Sequence, residues 1–245
     1  MKKYLILLLI ITATLKADEL YLGEKPDNYL VGKIKGSKVL GTYKNPGESQ
    51  NHYLRPDVIE NFKEMINDYN QYRAGQKKAP AIQARSAFRS YFDQKSIWDG
   101  KYQGKRKMTG YKASLTPTQK VHLILKYSSA PGTSRHHWGT DIDINSFDNE
   151  YFEKGGKGEL LYKWLQKNAK NYGFCQPYNR REDRNDKGYY QENWHWSFAP
   201  ISQRLVREWK KNYDVKKKSI LGTIEGIDSI TEDMPITYVT SVNSY

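Results

Sequence analysis

The sequence predicts an α+β domain in which a small antiparallel sheet is flanked by helices, and three observations carry that expectation. Apolar residues recur at three- and four-residue steps in several separate stretches, as in helices with one buried face. Short runs of alternating character lie between them, as in half-buried strands. The two kinds of run do not follow each other in a regular strand-helix rhythm, which argues against a doubly wound parallel sheet. A chain of 245 residues suffices for one well-buried domain with extensions, and two full domains would be a tight fit.

Taken in order, the chain opens with Met1-Lys2-Lys3, an apolar run from Tyr4 to Ile11, and Leu15-Lys16-Ala17 ahead of Asp18-Glu19. That is the pattern of a secretory signal peptide over residues 1–17, cut after the small Ala17. Crossing a bilayer needs about 20 apolar residues, so the run is too short for a span. The expectation is a monomeric protein exported to the periplasm or cell-wall space. Losing Lys2, Lys3 and Lys16 with the leader lowers the net charge from +13 to about +10. In an exported protein such a balance suits an anionic wall or membrane surface, whereas inside a cell it would suit nucleic acid. The single cysteine, Cys175, excludes an intrachain disulfide framework.

Residues 18–51 are polar and rich in Gly and Pro, and read as an N-terminal extension with small strands at Tyr29-Leu30-Val31 and Lys38-Val39-Leu40. Val58, Phe62, Met65, Ile66, Tyr69 and Tyr72 mark an amphipathic helix from Pro56 to about Arg73. Ala81-Ile82-Gln83-Ala84 reads as a strand leading into Arg85-Ser86-Ala87-Phe88-Arg89, with Ser90 capping a helix through Trp98. Thr116-Pro117 is a cap followed by Pro at the first helical position. A loop from Ser128 to Thr133 precedes an alternating strand, Trp138–Asn145. A helix over 158–172 stops at Gly173, and Cys175 then sits at a strand start as a buried, inert thiol. A strand at Gln191–Phe198 and a helix from Ser202 to about Tyr213 close the domain, placed at 52–213. The Lys216-Lys217-Lys218 run and the Ile/Thr-rich segment to Tyr245 read as a C-terminal tail, 214–245, facing the wall or partly disordered.

Two runs carry the chemistry: Ser134-Arg135-His136-His137-Trp138-Gly139-Thr140-Asp141-Ile142-Asp143 and Glu192-Asn193-Trp194-His195-Trp196. Zinc in a hydrolase commonly takes three ligands from His and carboxylate, keeps a position for water, and works with a nearby Glu. His136, Asp143 and His195 can be those ligands for one Zn2+ per chain, with Glu192 as the base. His137 is a rival ligand, and Asp141 adds a second carboxylate that leaves open which Asp holds the metal. In an extended strand Asp141 and Asp143 share one face and Ile142 the other. Asp141 then orients a ligand from the outer shell. Glu192 and His195 are three apart, so both can reach one ion only if the chain bends near Asn193, as at a bulge. Trp194 and Trp196 then turn into the core. Hydrolysis also builds up an oxyanion that needs a fixed positive group, for which Arg89 is the candidate. Ser134 and Gln83 are candidates for binding the peptide or its terminal carboxylate, and His52 and His122 have no such company.

These motifs resemble the zinc D-alanyl-D-alanine carboxypeptidases and dipeptidases of the vancomycin-resistance type, peptidase family M15. The family pattern Ser-x-His-x-x-Gly-x-Ala-x-Asp is met at Ser134, His136, Gly139 and Asp143, with Asp141 where the family has Ala. Its Glu-x-x-His with neighbouring Trp is met at Glu192, His195 and Trp196, and Ser86-Ala87-Phe88-Arg89-Ser90 is similar to its Ser-Gly-Tyr-Arg-Ser. The resemblance covers roughly residues 52–213. It implies the α+β fold with the zinc on the sheet, and a contact from Arg89 to the substrate carbonyl or tetrahedral intermediate. It further implies a D-alanyl-D-alanine carboxypeptidase acting on peptidoglycan stem peptides. An L,D-carboxypeptidase, a D-Ala-D-Ala dipeptidase and a wall-peptide endopeptidase would use the same site. The segments Asp99–Ala113 and Asn179–Lys187 are where pocket-shaping loops fall. From other classes, a non-catalytic wall-binding module predicts a closed four-ligand site or no base. An exported nuclease leaves the Glu-x-Trp-His-Trp run without a role, so no nucleic-acid partner is expected.

Overall fold

The computed structural model describes residues 17–76 and 78–243. The expected signal peptide therefore lies outside the described residues except for Ala17. Three one-turn helices come first, α1 (Ala17–Leu20), α2 (Pro26–Tyr29) and α3 (Gly36–Val39). Strands β1 (Gly41–Tyr43) and β2 (His52–Leu54) then pair as an antiparallel hairpin. The two strands expected at 29–31 and 38–40 are thus corrected to helical turns followed by loop. Pro26 fixes a helical φ at the start of α2, and runs of three residues with no facing partner cannot hold a ladder.

Helix α4 spans Pro56–Ala74 and buries Val58, Ile59, Phe62, Met65 and Tyr69, the stripe its spacing predicts. The main sheet has four antiparallel strands in the order β3-β4-β6-β5, formed by β3 (Ala84–Ser86), β4 (Asp141–Ile144), β5 (Phe174–Cys175) and β6 (His195–Phe198). Around it lie α5 (Tyr91–Tyr102), α6 (Pro117–Ile124), α7 (Glu159–Asn168) and α8 (Ala199–Lys216). Both predicted caps form: Ser90 and Thr116 each accept from the third residue of their helix, and Asp93 and Gln119 reach back. Helix α8 runs longer than the spacing predicted, because Ala199-Pro200 already takes the helical start directly after β6.

Every residue of β4 is buried. As an inner strand it turns Ile142 and Ile144 into the apolar core, leaving Asp141 and Asp143 on the opposite face. The strand expected at Trp138–Asn145 is shorter than predicted: Arg135–Trp138 is a 3-10 turn that ends at Gly139 with φ +66. A Cβ at Gly139 would also meet the Leu40 side chain at 3.0 Å. Cys175 is buried on β5, and burial raises its thiol pKa to about 12, as fits an inert group.

The segment after Asp214 is folded, which corrects the expectation of a partly disordered tail. It forms 3-10 turns at Lys217–Leu221 and Ile227–Ser229 and the helix α9 (Asp233–Thr240). Ile220, Leu221, Ile224, Ile230 and Val239 join the core. Tyr91 Oη donates to the Leu221 carbonyl at 2.6 Å and Trp98 Nε1 to the Glu225 carbonyl at 2.9 Å. Its apolar residues follow neither the helix nor the strand period, so spacing alone gave no element. Among the described residues no helix is long and apolar enough to cross a membrane.

Candidate metal centre and its cleft

Strands β4 and β6 pair so that Asp143 lies opposite His195, while the 3-10 turn ahead of β4 brings up His136. One ligand atom from each of the three falls within 4.8 Å of the others, and all three residues are buried. Each imidazole is held so that one nitrogen is spent on the protein and the other faces the cluster. His136 Nδ1–H donates to the Ala87 carbonyl at 2.7 Å, leaving Nε2 3.3 Å from Asp143 Oδ2. His195 is turned the other way round: Nε2–H donates to Asp141 Oδ1 at 2.9 Å, and Nδ1 stands 3.4 Å from Asp143 Oδ1. Asp143 Oδ1 is buried without a hydrogen-bond partner, a costly state for a carboxylate that a cation would relieve. Two imidazole nitrogens and a carboxylate oxygen converging on one point are a donor set suited to zinc.

The bend needed near Asn193 is present as a turn, with His195 N–H donating to the Glu192 carbonyl at 3.3 Å. It places Glu192 Oε2 3.2 Å from His195 Nδ1, on the cluster side. Arg89 reaches the same point from the β3–α5 junction: Nη2 lies 3.4 Å from Asp143 Oδ2 and 3.4 Å from Ser86 Oγ. Its Nη1 donates to Gln94 Oε1 at 2.8 Å, and Gln94 in turn donates to the Ser129 carbonyl at 2.7 Å.

Asp141 stands behind His195, bound to Arg135 Nε at 3.0 Å and to the Thr140 hydroxyl. Arg135 also donates to Ser197 Oγ at 2.6 Å. The two carboxylates of β4 are therefore separated in role, Asp143 toward the cluster and Asp141 toward the ring behind it. His137 points away, its Nδ1–H donating to the Arg89 carbonyl at 2.6 Å and its Nε2 accepting from Gly132 N–H at 3.1 Å. Burial depresses its pKa to about 3, so it is a neutral structural group with both nitrogens engaged.

Burial also lowers the pKa of His136, against the pull of Asp143, and keeps the ring neutral with a lone pair to offer. For His195 burial is outweighed by the hydrogen bonds to Asp141 and Glu192 and by the charge of Asp143, which hold its pKa near 9. Burial works against ionising Asp143, yet His136, His195 and Arg89 bring its pKa down to about 2. Burial raises Glu192, partly offset by His195. A carboxyl shifted toward neutral pH is suited to taking and returning a proton.

The cluster sits in a cleft of about 1080 Å³ lined by Ser86, Arg89, Ser134, Glu192 and Trp194, among others. Trp194 and Trp196 both join the core as expected, and Trp194 also lines the cleft, while Trp196 donates to the Asn193 carbonyl at 3.3 Å. Gln83 is not among the lining residues. The strand begins at Ala84, three residues later than expected, and its register shifts between Ala84 and Ser86. Gln83 instead exchanges hydrogen bonds with Asn145 through its backbone N–H and carbonyl, at 3.0 and 2.9 Å. Lys101, Arg106 and Lys107 also line the cleft and make it basic, with Ile97 one turn before Lys101 on α5. Lys101 Nζ donates to Ser128 Oγ, and burial and the charges of Arg89 and Arg106 lower its pKa against the pull of Glu192.

Sequence reasoning missed Gln94, Lys101 and Arg135. The first two were legible in part: Ser90 caps α5, and residues 94, 97, 98 and 101 of a helix so capped share one face. Arg135 gave no signal beyond its place in the motif.

Residues 51–201, more than half of the chain, match the family described as VanY, D-alanyl-D-alanine carboxypeptidase. This chain belongs to the VanY family. Among VanY-like relatives, the putative carboxypeptidase YodJ of Bacillus subtilis (strain 168) is 29% identical over 151 residues, 61% of this chain and 48% of that one. An uncharacterized protein of Haemophilus influenzae is 31% identical over 89 residues, 31% of this chain and 65% of its own length. The matches therefore span about half of the first relative and just under two thirds of the second. Among solved structures, VanYB in complex with D-Alanine-D-Alanine is similar with a TM-score of 0.48 at 18% identity, over 71% of this chain and 84% of that one. The LdcB LD-carboxypeptidase gives 0.44 at 19% identity, over 72% and 89%.

Proposed function

We propose that this VanY-family chain is an exported, zinc-dependent carboxypeptidase that removes the terminal D-Ala from peptidoglycan stem peptides. One observation carries the reading: the buried His136, Asp143 and His195 cluster has a proton carrier, Glu192, and a fixed cation, Arg89, on its open side. His136 Nε2, Asp143 and His195 Nδ1 would hold a single Zn2+. When bound, the ion supplies a Lewis acid that polarises the scissile carbonyl and eases loss of a proton from the attacking water.

Glu192 takes that proton as the water oxygen adds to the carbonyl carbon, and returns it to the amine nitrogen as the C–N bond breaks. Arg89, braced by Gln94 and Ser86, offers its guanidinium to the oxyanion. Lys101, beside Ser128 and with no carboxylate of its own within salt-bridge distance in the described residues, receives the terminal carboxylate. Ile97 gives the methyl of the leaving D-Ala an apolar wall. Ser134, on the cleft lining, is placed for the peptide backbone. Export rests on the apolar run between Lys3 and Ala17, and peptidoglycan is the polymer such a protein meets.

The test incubates zinc-loaded protein with defined muropeptides and weighs the products. Pentapeptides are expected to lose one terminal D-Ala and become tetrapeptides; chelators should stop the reaction and penicillin should not, since no serine acyl-enzyme forms. Shortening of tetrapeptides alone would assign an L,D-carboxypeptidase, and cutting of free D-Ala-D-Ala alone a dipeptidase. No change in any muropeptide would leave a wall-binding module in place of an enzyme.

A further inference from the structure

One part of the cleft lining plays no part in the proposed chemistry, yet it is built from aromatic rings. Six large apolar side chains are exposed among the described residues, and two of them line the cleft here: Tyr127 at 49% and Phe147 at 54% exposure. Trp194 joins them into one row. Its ring centroid is 6.2 Å from that of Tyr127 and 6.4 Å from that of Phe147, and Tyr127 lies 5.6 Å from Tyr190. The Tyr127 ring is tilted by 34° to that of Tyr190 and by 40° to that of Trp194. The backbone fixes the row, with Tyr190 N–H donating to the Lys126 carbonyl at 2.9 Å. Trp194 directly precedes His195, so the row adjoins the metal cluster.

Exposed apolar residues are commonly scattered singly, and a contiguous patch lining a cleft marks a binding surface. The polar groups around this one say what fits it. Asp148 and Glu150 line the cleft beside Phe147, and Lys126 and Arg181 sit over the neighbouring Tyr190 ring, 5.6 and 4.9 Å from its centroid. A hydrocarbon chain would strand those charges against apolar surface. A nucleotide would bring its phosphates to Asp148 and Glu150. A pyranose has C–H bonds on its faces and hydroxyls around its rim, which matches flat rings bordered by carboxylates and cations.

We propose that this aromatic wall is a saccharide subsite, which takes an N-acetylated hexosamine of the glycan that bears the peptide. Tyr127 and Phe147 stack on the sugar, and Asp148 and Glu150 accept from its hydroxyls. The inference rests on the carboxypeptidase reading only for the choice of polymer; saccharide binding itself requires no turnover.

The experiment compares one stem peptide free and attached to its disaccharide, with wild type, Tyr127→Ala/Phe147→Ala and Tyr127→Phe. In parallel, a tetramer of N-acetylglucosamine is titrated into metal-free protein by calorimetry. Two stacking rings are expected to lower KM about tenfold for the glycan-bearing peptide in wild type. The double variant should lose that ratio and the tetramer binding, and Tyr127→Phe should keep both. Both residues are about half-exposed, and circular dichroism checks that the variants fold. Equal KM for both substrates with no tetramer binding overturns the inference. So does a double variant that weakens free and glycan-bearing peptide alike, which would assign the wall to the peptide. Should no substrate be cut, the carboxypeptidase reading falls and the tetramer titration alone decides this one.

Discussion

Replacing Asp141 by Asn preserves the shape of the side chain and removes its charge, and two measurements should register the loss separately. The native carboxylate receives His195 Nε2–H at 2.9 Å, Arg135 Nε at 3.0 Å and the Thr140 hydroxyl. Arg135 and Asp141 are both buried, so Asp141→Asn leaves a guanidinium without an anion. Breaking a buried pair from one side costs about 3–5 kcal/mol, and denaturant unfolding of the metal-free protein should show a loss of that order. His195 also loses the acceptor that fixes which nitrogen carries its proton. Removal of such a partner weakens metal binding roughly 10- to 100-fold, to be read by competition with a chromophoric chelator. The double variant Asp141→Asn/Arg135→Met separates the two effects. With no stranded charge its stability should recover, while zinc affinity stays low because Nε2–H still lacks a carboxylate. Wild-type stability in Asp141→Asn, or wild-type zinc affinity in the double variant, refutes the reasoning.

Glu192→Gln should retain the fold and the zinc but lose about 10²- to 10⁴-fold in turnover, measured on metal-quantified protein; unchanged turnover would sink its role as proton carrier. Gln94→Leu frees the Arg89 guanidinium from its 2.8 Å partner, so kcat should fall more than KM changes. Gly32→Ala places a Cβ 2.4 Å from His137 Nδ1 at a φ of +74, and thermal unfolding should show a loss of about 1–3 kcal/mol. In the metal-free protein the His195 pKa near 9 lies above its ordinary 6.5. Its contribution to stability is then complete below pH 6.5 and is lost as pH rises through 9. Denaturant midpoints should fall across that window in wild type, and a His195→Gln protein should lack this part of the fall.

Much of the fold was legible because its signals are local. The stripe of α4, the capping residues Ser90 and Thr116 and the stop at Gly173 each depend on residues within a few positions of one another. The misreadings share a cause. Tyr29-Leu30-Val31 has strand composition, but whether it pairs depends on a facing segment, and none faces it. The segment from 217 to 243 is tied down by Tyr91 and Trp98, residues far away in sequence. Gln83 went astray because a register shift one residue later reverses which side chains face the cleft.

By itself the sequence determined which chemical groups are available and which share a local element: a His one turn before a strand, two carboxylates on one face of it, and a Glu three residues ahead of a second His. Spacing along the chain sets these relations because strand and turn geometry repeat over a few residues. Only the tertiary structure decided which imidazole nitrogen faces the cluster, that Asp141 serves His195 while Asp143 Oδ1 is left without a hydrogen bond, and that His137 is consumed by backbone. These choices depend on hydrogen-bond partners about fifty residues distant, the Ala87 and Arg89 carbonyls for the two His of the turn and Asp141 for His195. A buried polar group takes whatever partner the closed chain brings within 3 Å, and closure is a property of the whole fold.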